Sequence, residues 1–439
     1  MFDLRRLLPR CAGWLVLLAG EPLWAQGLPA GDASASGFTP QGLAKIGGLL
    51  ESAVSEARIA GGSALVARNG QVVYLAAAGH RDREADLPMS ADTIVRIASM
   101  SKPITSVAIL QLADAGKLRL EDPVSKFIPE FAEPSVLATT SDAGPEGGYS
   151  TVPAGREITI HHLLTHTAGL VYRFAGQDPL SRLYAEAAIS DGLSETPGTI
   201  SDNARRIAAQ PLQFRPGDAW NYSLATDVLG RVVEVASGES FDAYLQKHLF
   251  DPLKMTDTGF VLPTEKRSRL SAVYGPGPDG NVVRTTGHPM QEGLLVYSAT
   301  YPTWDHSHYF SGGAGLSSTL GDYARFLQML LNRGELEGAR ILKPETVELM
   351  TSNRIGDLPM PDWGHGDRFG YGVAVVSKSA GPDAPAEGTY SWGGFFYTYF
   401  WVDPKRELIG ILFTQMYPSG DLKLREEFRK LVYEALKDE

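Results

Sequence analysis

Ala98-Ser99-Met100-Ser101-Lys102 stands where an extended pattern gives way to a helical one, and the chain is best read outward from it. Downstream, Ser101 to Ala115 reads as a helix, with Val107, Leu110 and Leu112 apolar and Gly116 as its stop. Upstream, Ser63–Arg68 and Gln71–Leu75 are apolar runs on either side of Asn69-Gly70, the signature of a hairpin with a type I′ turn. A helix before them starts at Pro40 and keeps Leu43, Ile46, Leu50, Ala53 and Val54 on one face. Beyond a Gly/Pro/Ser/Thr-rich excursion at 133–155, Ile158 to Asn353 is mostly helical, broken by a polar loop at 262–310. Strand character returns from Phe369, in Tyr371–Val376, Thr389–Val402 and Leu408–Gln415. Asp403-Pro404-Lys405-Arg406 supplies the turn between the last two, and Arg425–Leu436 is a closing amphipathic helix.

That order predicts an α+β fold in which both chain ends build one antiparallel sheet flanked by helices. The sheet part spans about 39–95 and 365–439, and a mostly helical part, about 96–364, is inserted between them. A cleft between the two parts is where a site belongs. Apolar content of 43% and charged content of 21% suit a soluble globular chain of 439 residues. The net charge of −11 offers no basic stripe for phosphates, so a nucleic-acid partner is excluded, and anionic lipid is not attracted.

Residues 1–25 read as a cleavable export signal. Arg5, Arg6 and Arg10 precede a short apolar run from Cys11 to Gly20, and Leu23-Trp24-Ala25 ends in a small residue. The run is too short to span a bilayer, so a secreted or periplasmic location is expected, with no stable membrane insertion of the mature chain. Residues 26–38, small and Gly/Ala/Ser-rich, read as a loose linker. The single cysteine, Cys11, falls inside the signal, which excludes disulfides, thiolate metal sites and a cysteine nucleophile from the rest.

The chemistry begins with Ser99 and Lys102. One helical turn apart, they project on the same face, where a neutral lysine can take the hydroxyl proton. Ser99 at a helix start also aims its own N–H at developing negative charge. An S-x-x-K occurs about once by chance in such a chain. A helix cap at Ser99 and a solvated charge at Lys102 would give the same letters. A second element, Phe214 to Leu224, is a turn entering a helix with Tyr222 at the junction, either an aromatic capping the core or a phenol sharing the proton relay. A third, Tyr390-Ser391-Trp392-Gly393-Gly394-Phe395, puts two glycines in a strand, which is costly unless a ligand or another backbone comes close. It reads either as a plain bulge or as a second oxyanion donor, the Phe395 N–H.

Taken together, S-x-x-K, Tyr222-Ser223 about 120 residues on, and the glycine-rich strand resemble the serine β-lactamase and penicillin-binding-protein superfamily. Ile158–Leu170 and Gly312–Asp322 add to the likeness, which covers roughly residues 40–435. Within it, the chain most resembles the class C-like esterases (family VIII carboxylesterases), including diacrylate-esterase-like and statin-acyltransferase-like members. Trp392 stands where the lactamases carry a cation for the ring carboxylate, and Leu224 where they carry an asparagine. Both departures suit a neutral ester better than an anionic amide.

The expected activity is therefore carboxylesterase-type acyl transfer through a Ser99 acyl-enzyme on small neutral esters, without a cofactor. Lys102 and Tyr222 move the proton, Ser99 and Phe395 hold the oxyanion, and Trp392, Gly393 and Gly394 line the substrate. The alternative is a class C-type β-lactamase or D-amino-acid peptidase, which needs a replacement cation such as Arg173. His166 lies in a Leu-Leu-Thr-His-Thr-Ala-Gly turn and is read as scaffold rather than base; no G-x-S-x-G elbow is present. Asp305, His306 and His308 are read as a solvated loop, not a metal site.

Overall fold

The Asn69-Gly70 turn forms as its letters demand, with φ of 54° and 77° at the two positions. It joins β1 (Gly61–Arg68) to β2 (Gln71–Asp82) in antiparallel register. The computed structural model describes residues 27–138, 149–176, 179–286, 289–361, 363, 366–379 and 385–437. The export-signal reading of 1–25 lies outside them. After β3 (Leu87–Pro88) the sheet is completed by strands from the far end of the chain. These are β4 (Arg368–Phe369), β5 (Ala374–Val375), β6 (Tyr390–Gly393), β7 (Tyr399–Asp403) and β8 (Leu408–Thr414). The order is β4-β5-β6-β7-β8-β1-β2-β3, with β1 and β8, the two chain ends, paired at its centre from Gly62↔Thr414 to Arg68↔Leu408.

Both faces of these central strands are buried, which is why they read as unbroken apolar runs. Alternate residues serve two cores. Ala64, Val66, Tyr399, Trp401 and Leu412 pack under α1 (Pro40–Ser55) and the C-terminal helix Leu424–Glu434. Leu65, Ala67, Phe400, Ile409, Ile411 and Phe413 face the helical part. Helix α1 buries Leu43, Ile46, Leu50 and Ala53, the face its spacing predicts. Leu43, Ile46 and Leu50 contribute about 1.5–3 kcal/mol each, and the Ala53 methyl less.

The helical part is organised around α2 (Ser101–Asp114), which is buried on every side from Ser101 to Leu110. A helix so enclosed must satisfy its polar side chains internally. Ser101 Oγ accepts from Leu316 N–H at 3.1 Å, and Thr105 Oγ1 donates to the Gly312 carbonyl at 2.7 Å. Helix α3 (Ala225–Ser237) packs along α2.

Three readings are corrected. Residues 27–38 are no loose linker: Leu28 and Phe38 are buried, and Gly31 and Pro29 exchange backbone hydrogen bonds with Val72. Two apolar anchors outweigh a small-residue composition. Thr389–Val402 is two strands, not one, because the chain turns at 394–398 with Gly394 N–H bonded to Thr398 O and Tyr397 at φ 63°. The 262–310 loop carries two small ladders, Tyr274–Pro276 with Val282–Arg284 and Met290–Glu292 with Leu295–Tyr297.

Candidate active site

Ser99 sits in a short 3₁₀ turn, Ala98–Met100, that runs directly into α2. Its side chain caps neither helix, which removes the helix-cap reading. Ala98 before it is held at φ 42°, a conformation that costs a non-glycine residue about 1–3 kcal/mol and persists only where the surroundings enforce it. They do so here. Val95–Arg96 pairs with Ser317–Ser318, Ile97 N–H bonds the Leu316 carbonyl at 3.0 Å, and Tyr323 donates to the Met100 carbonyl at 2.9 Å.

Lys102 is not a solvated charge but fully buried. Its Nζ lies 3.4 Å from Ser99 Oγ and donates to the Tyr172 hydroxyl and the Gly313 carbonyl, both at 2.8 Å. Gly313 must be glycine: a Cβ there would stand 2.6 Å from Asp227 Oδ2 and 3.3 Å from Lys102 Nζ. Behind these groups Asp227 accepts from Tyr309 at 2.8 Å, and Tyr309 accepts from Asn203 at 2.9 Å. Burial pushes the Asp227 carboxyl up to about 6, against the pull of the Ser311 and Tyr309 hydroxyls and of Lys102. Burial, then Tyr222 and Asp227, raise the Tyr172 phenol well above its ordinary range, so it stays protonated.

Tyr222 meets Lys102 differently. Its ring face lies 4.5 Å from Nζ, while its buried hydroxyl has no hydrogen-bond partner among the described residues. The ring belongs to an aromatic group: Trp392 at 5.4 Å, Trp363 at 5.7 Å and Trp220 at 6.4 Å between centroids. Phe369 closes the group against Trp392 at 5.3 Å. Leu224 is buried in the core.

Of the glycine pair, Gly394 works by close approach. A Cβ on Gly394 would stand 2.3 Å from the Ile97 carbonyl oxygen, so the strand end is drawn against the turn that carries Ser99. Phe395 follows in the turn rather than in the strand. Neither its N–H nor that of Ser99 donates to another backbone group among the described residues.

The remaining candidates are engaged elsewhere. His166 is buried and bonded to Ser223 Oγ at 3.2 Å, and burial, then Lys102, hold it well below its usual range, so it is neutral. Arg173 donates to the Leu294 carbonyl at 2.8 Å and pairs with Asp191 at 3.5 Å. Asp305 is ion-paired with Arg267. Reading the sequence missed Tyr172, Gly313 and Asp227. Tyr172 stands two residues beyond the Ile158–Leu170 run and Gly313 inside the Gly312–Asp322 run, so proximity to those runs was the available signal.

Comparison with known proteins places the chain in a family. Residues 46–434 match the family described as Beta-lactamase. Esterase EstB of Burkholderia gladioli is 35% identical over 387 residues, covering 86% of this chain and 91% of that protein. The lovastatin esterase of Penicillium rubens is 30% identical over 395 residues, covering 83% and 91%. The solved structure of EstCE1, described as a hydrolase with promiscuous acyltransferase activity, superposes with a TM-score of 0.75 at 29% identity, covering 90% of this chain and 99% of that one. With the lysine of S-x-x-K buried beside a tyrosine pair and esterases among its relatives, the chain belongs to the beta-lactamase family and is a serine hydrolase of the carboxylesterase type.

Proposed function

We propose that Ser99 is the nucleophile and Lys102 its base in acyl transfer from small neutral esters. The bonding of Lys102 carries this reading. The Tyr172 hydroxyl and the Gly313 carbonyl, both at 2.8 Å, hold Nζ in place, and its third polar neighbour is Ser99 Oγ at 3.4 Å, the atom whose proton it must take. Lys102 takes the Oγ proton as the Ser99 oxygen bonds the ester carbon. The N–H groups of Ser99 and Phe395 hold the oxyanion. The Tyr222 hydroxyl, without a partner among the described residues, gives its proton to the leaving alkoxide as the C–O bond breaks; the proton that Lys102 took up restores it by way of solvent, since Nζ faces the ring and not the hydroxyl. Water or a second alcohol then attacks the acyl-enzyme; the acyltransferase activity named for EstCE1 supports the second route.

Neutral substrates are favoured over β-lactams and D-amino-acid peptides because the candidate replacement cation, Arg173, is tied to Asp191 and the Leu294 carbonyl. Trp392, Gly393 and Gly394 then line the substrate as an apolar edge. Export to the periplasm or beyond rests on Arg5 to Ala25 and is checked by the intact mass of the mature protein. Among the described residues no helix is long and apolar enough to cross a membrane.

The test is initial rates on p-nitrophenyl butyrate and a chromogenic cephalosporin, each beside Ser99→Ala. Ester turnover should far exceed lactam turnover and fall by ~10⁴-fold or more in the variant. Undiminished ester turnover by Ser99→Ala would sink the assignment, and fast lactam opening would make the chain a β-lactamase.

A further inference from the structure

Among the described residues Trp363 is one of the few large apolar side chains left exposed, at 44%, yet its ring is not isolated. It lies 5.4 Å from Trp220, 5.7 Å from Tyr222 and 6.1 Å from Trp392. Trp220 and Trp392 are themselves buried. Three aromatic rings thus carry a fourth whose free face points nowhere into the core. Such a surface gains most from a flat apolar group laid against it. Trp220 Nε1 is buried and has no hydrogen-bond partner among the described residues, so this wall also holds an unused donor.

The proton path decides which half of an ester meets this wall. The group that protonates the leaving oxygen must lie within hydrogen-bond reach of it. In the proposed mechanism that group is the Tyr222 hydroxyl, and the Tyr222 ring is packed between Lys102 and the tryptophans. Whatever is attached to the leaving oxygen is therefore delivered to the Trp220–Trp363–Trp392 wall. The acyl half must extend away from Tyr222, toward Phe395. That residue stacks on Tyr417 at 3.9 Å and meets Tyr297 at 5.7 Å, in a separate apolar cluster.

We infer that Trp363, with Trp220, Tyr222 and Trp392, forms a subsite for a planar aromatic or fused-ring alcohol, and that Trp363 sets the preference for that alcohol. This inference rests on the Ser99–Tyr222 reading and narrows its substrate class. No new bond is involved: the ester C–O bond breaks as already described, and the ring-bearing alcohol departs with the Tyr222 proton.

The experiment measures kcat/KM of wild type, Trp363→Ala and Trp363→Phe on ethyl acetate, 2-naphthylmethyl acetate and ethyl 2-naphthoate. Ser99→Ala is the control. Trp363→Ala should lower the ratio of naphthylmethyl acetate to ethyl acetate about tenfold, mainly through KM, while naphthoate follows ethyl acetate. Trp363→Phe should restore most of the ratio, since a ring face is retained. Equal losses on all three esters would overturn the subsite, because a merely structural tryptophan does not discriminate between them. A loss confined to the naphthoate would also overturn it, by placing the acyl group on this wall. Rates that persist in Ser99→Ala would instead remove the underlying mechanism, a result distinguishable from either.

Discussion

The two tyrosines beside Lys102 are at different stages of completion. Tyr172 is buried, its hydroxyl holds Lys102 at 2.8 Å, and its ring stacks on Phe174 at 4.7 Å. Behind it, Asn203, Tyr309 and Asp227 are bonded in series, Asn203 to the Tyr309 hydroxyl and Tyr309 to Asp227 Oδ1. Tyr222 is half-buried, with a hydroxyl bonded to nothing among the described residues and a ring backed by an exposed tryptophan. One side of the lysine is closed and polar; the other is open and aromatic. A closed network fixes geometry, since moving any member breaks a buried hydrogen bond. An unpartnered hydroxyl in a desolvated place keeps its bonding capacity for the reacting atoms. In the proposed mechanism Tyr172 is thus the positioning residue and Tyr222 the one that handles the proton.

The largest expected effect tests that division directly. Tyr222→Phe should lower kcat by ~10²–10³-fold with little change in KM, because a proton donor to the leaving group is lost. Tyr172→Phe should cost only about tenfold in kcat. It also lowers thermal stability, since one buried Lys102 N–H loses its acceptor at ~1–3 kcal/mol. Steady-state kinetics on p-nitrophenyl butyrate with melts of the same proteins reads both. If Tyr172→Phe proves the more damaging to kcat, the roles are reversed and the proton passes through Tyr172.

A smaller effect is expected where the open side meets the nucleophile turn. A methyl on Gly394 would stand 2.3 Å from the Ile97 carbonyl oxygen and 2.2 Å from Thr398 Oγ1. The backbone must then shift, carrying the Phe395 N–H away from the oxyanion. Gly394→Ala should therefore lower kcat by ~10²-fold or somewhat less while KM holds, within the range for losing one oxyanion donor. A variant that loses stability but keeps kcat would show that the glycine serves packing alone.

The open side was the more legible in the sequence. Ser99, Lys102, Tyr222 and Trp392–Phe395 are side chains or glycines at spacings that carry a chemical reason, and the sheet built from both ends follows from the order of periodic segments. The closed side left little trace. Gly313 contributes a backbone carbonyl, which any residue possesses, and its need for glycine arises from the approach of Asp227, Tyr172 and Lys102, all remote in sequence. Tyr172 acquires its role through a contact 70 residues away in sequence. The break inside Thr389–Val402 is masked because aromatic residues run on both sides of it and through it; Gly393-Gly394 and Thr398 are its only marks, and the left-handed φ of 63° falls on Tyr397, a residue that does not announce it.

The two sides should also differ in their response to pH. The aromatic wall of Trp220, Tyr222, Trp363 and Trp392 contains no carboxylate, whereas the closed side buries Asp191 next to Arg173. Burial raises the Asp191 carboxyl to about 7, against the pull of the Arg173 N–H and its guanidinium. A carboxyl whose native pKa lies above its unfolded value keeps its proton longer in the native state. Its contribution to stability is full below about 4, the ordinary range for Asp, and is lost as the pH rises through about 7. Asp191→Asn keeps an acceptor for the Arg173 N–H at 3.1 Å and cannot ionise. The variant should therefore lose less stability than wild type between pH 4 and pH 7.5. The difference should reach a few kcal/mol, at about 1.4 kcal/mol for each pH unit separating native from unfolded titration. Urea unfolding at several pH values measures the two slopes. Parallel slopes would mean that Arg173 keeps Asp191 ionised throughout, and the closed side would then be held by an ion pair rather than by neutral hydrogen bonds.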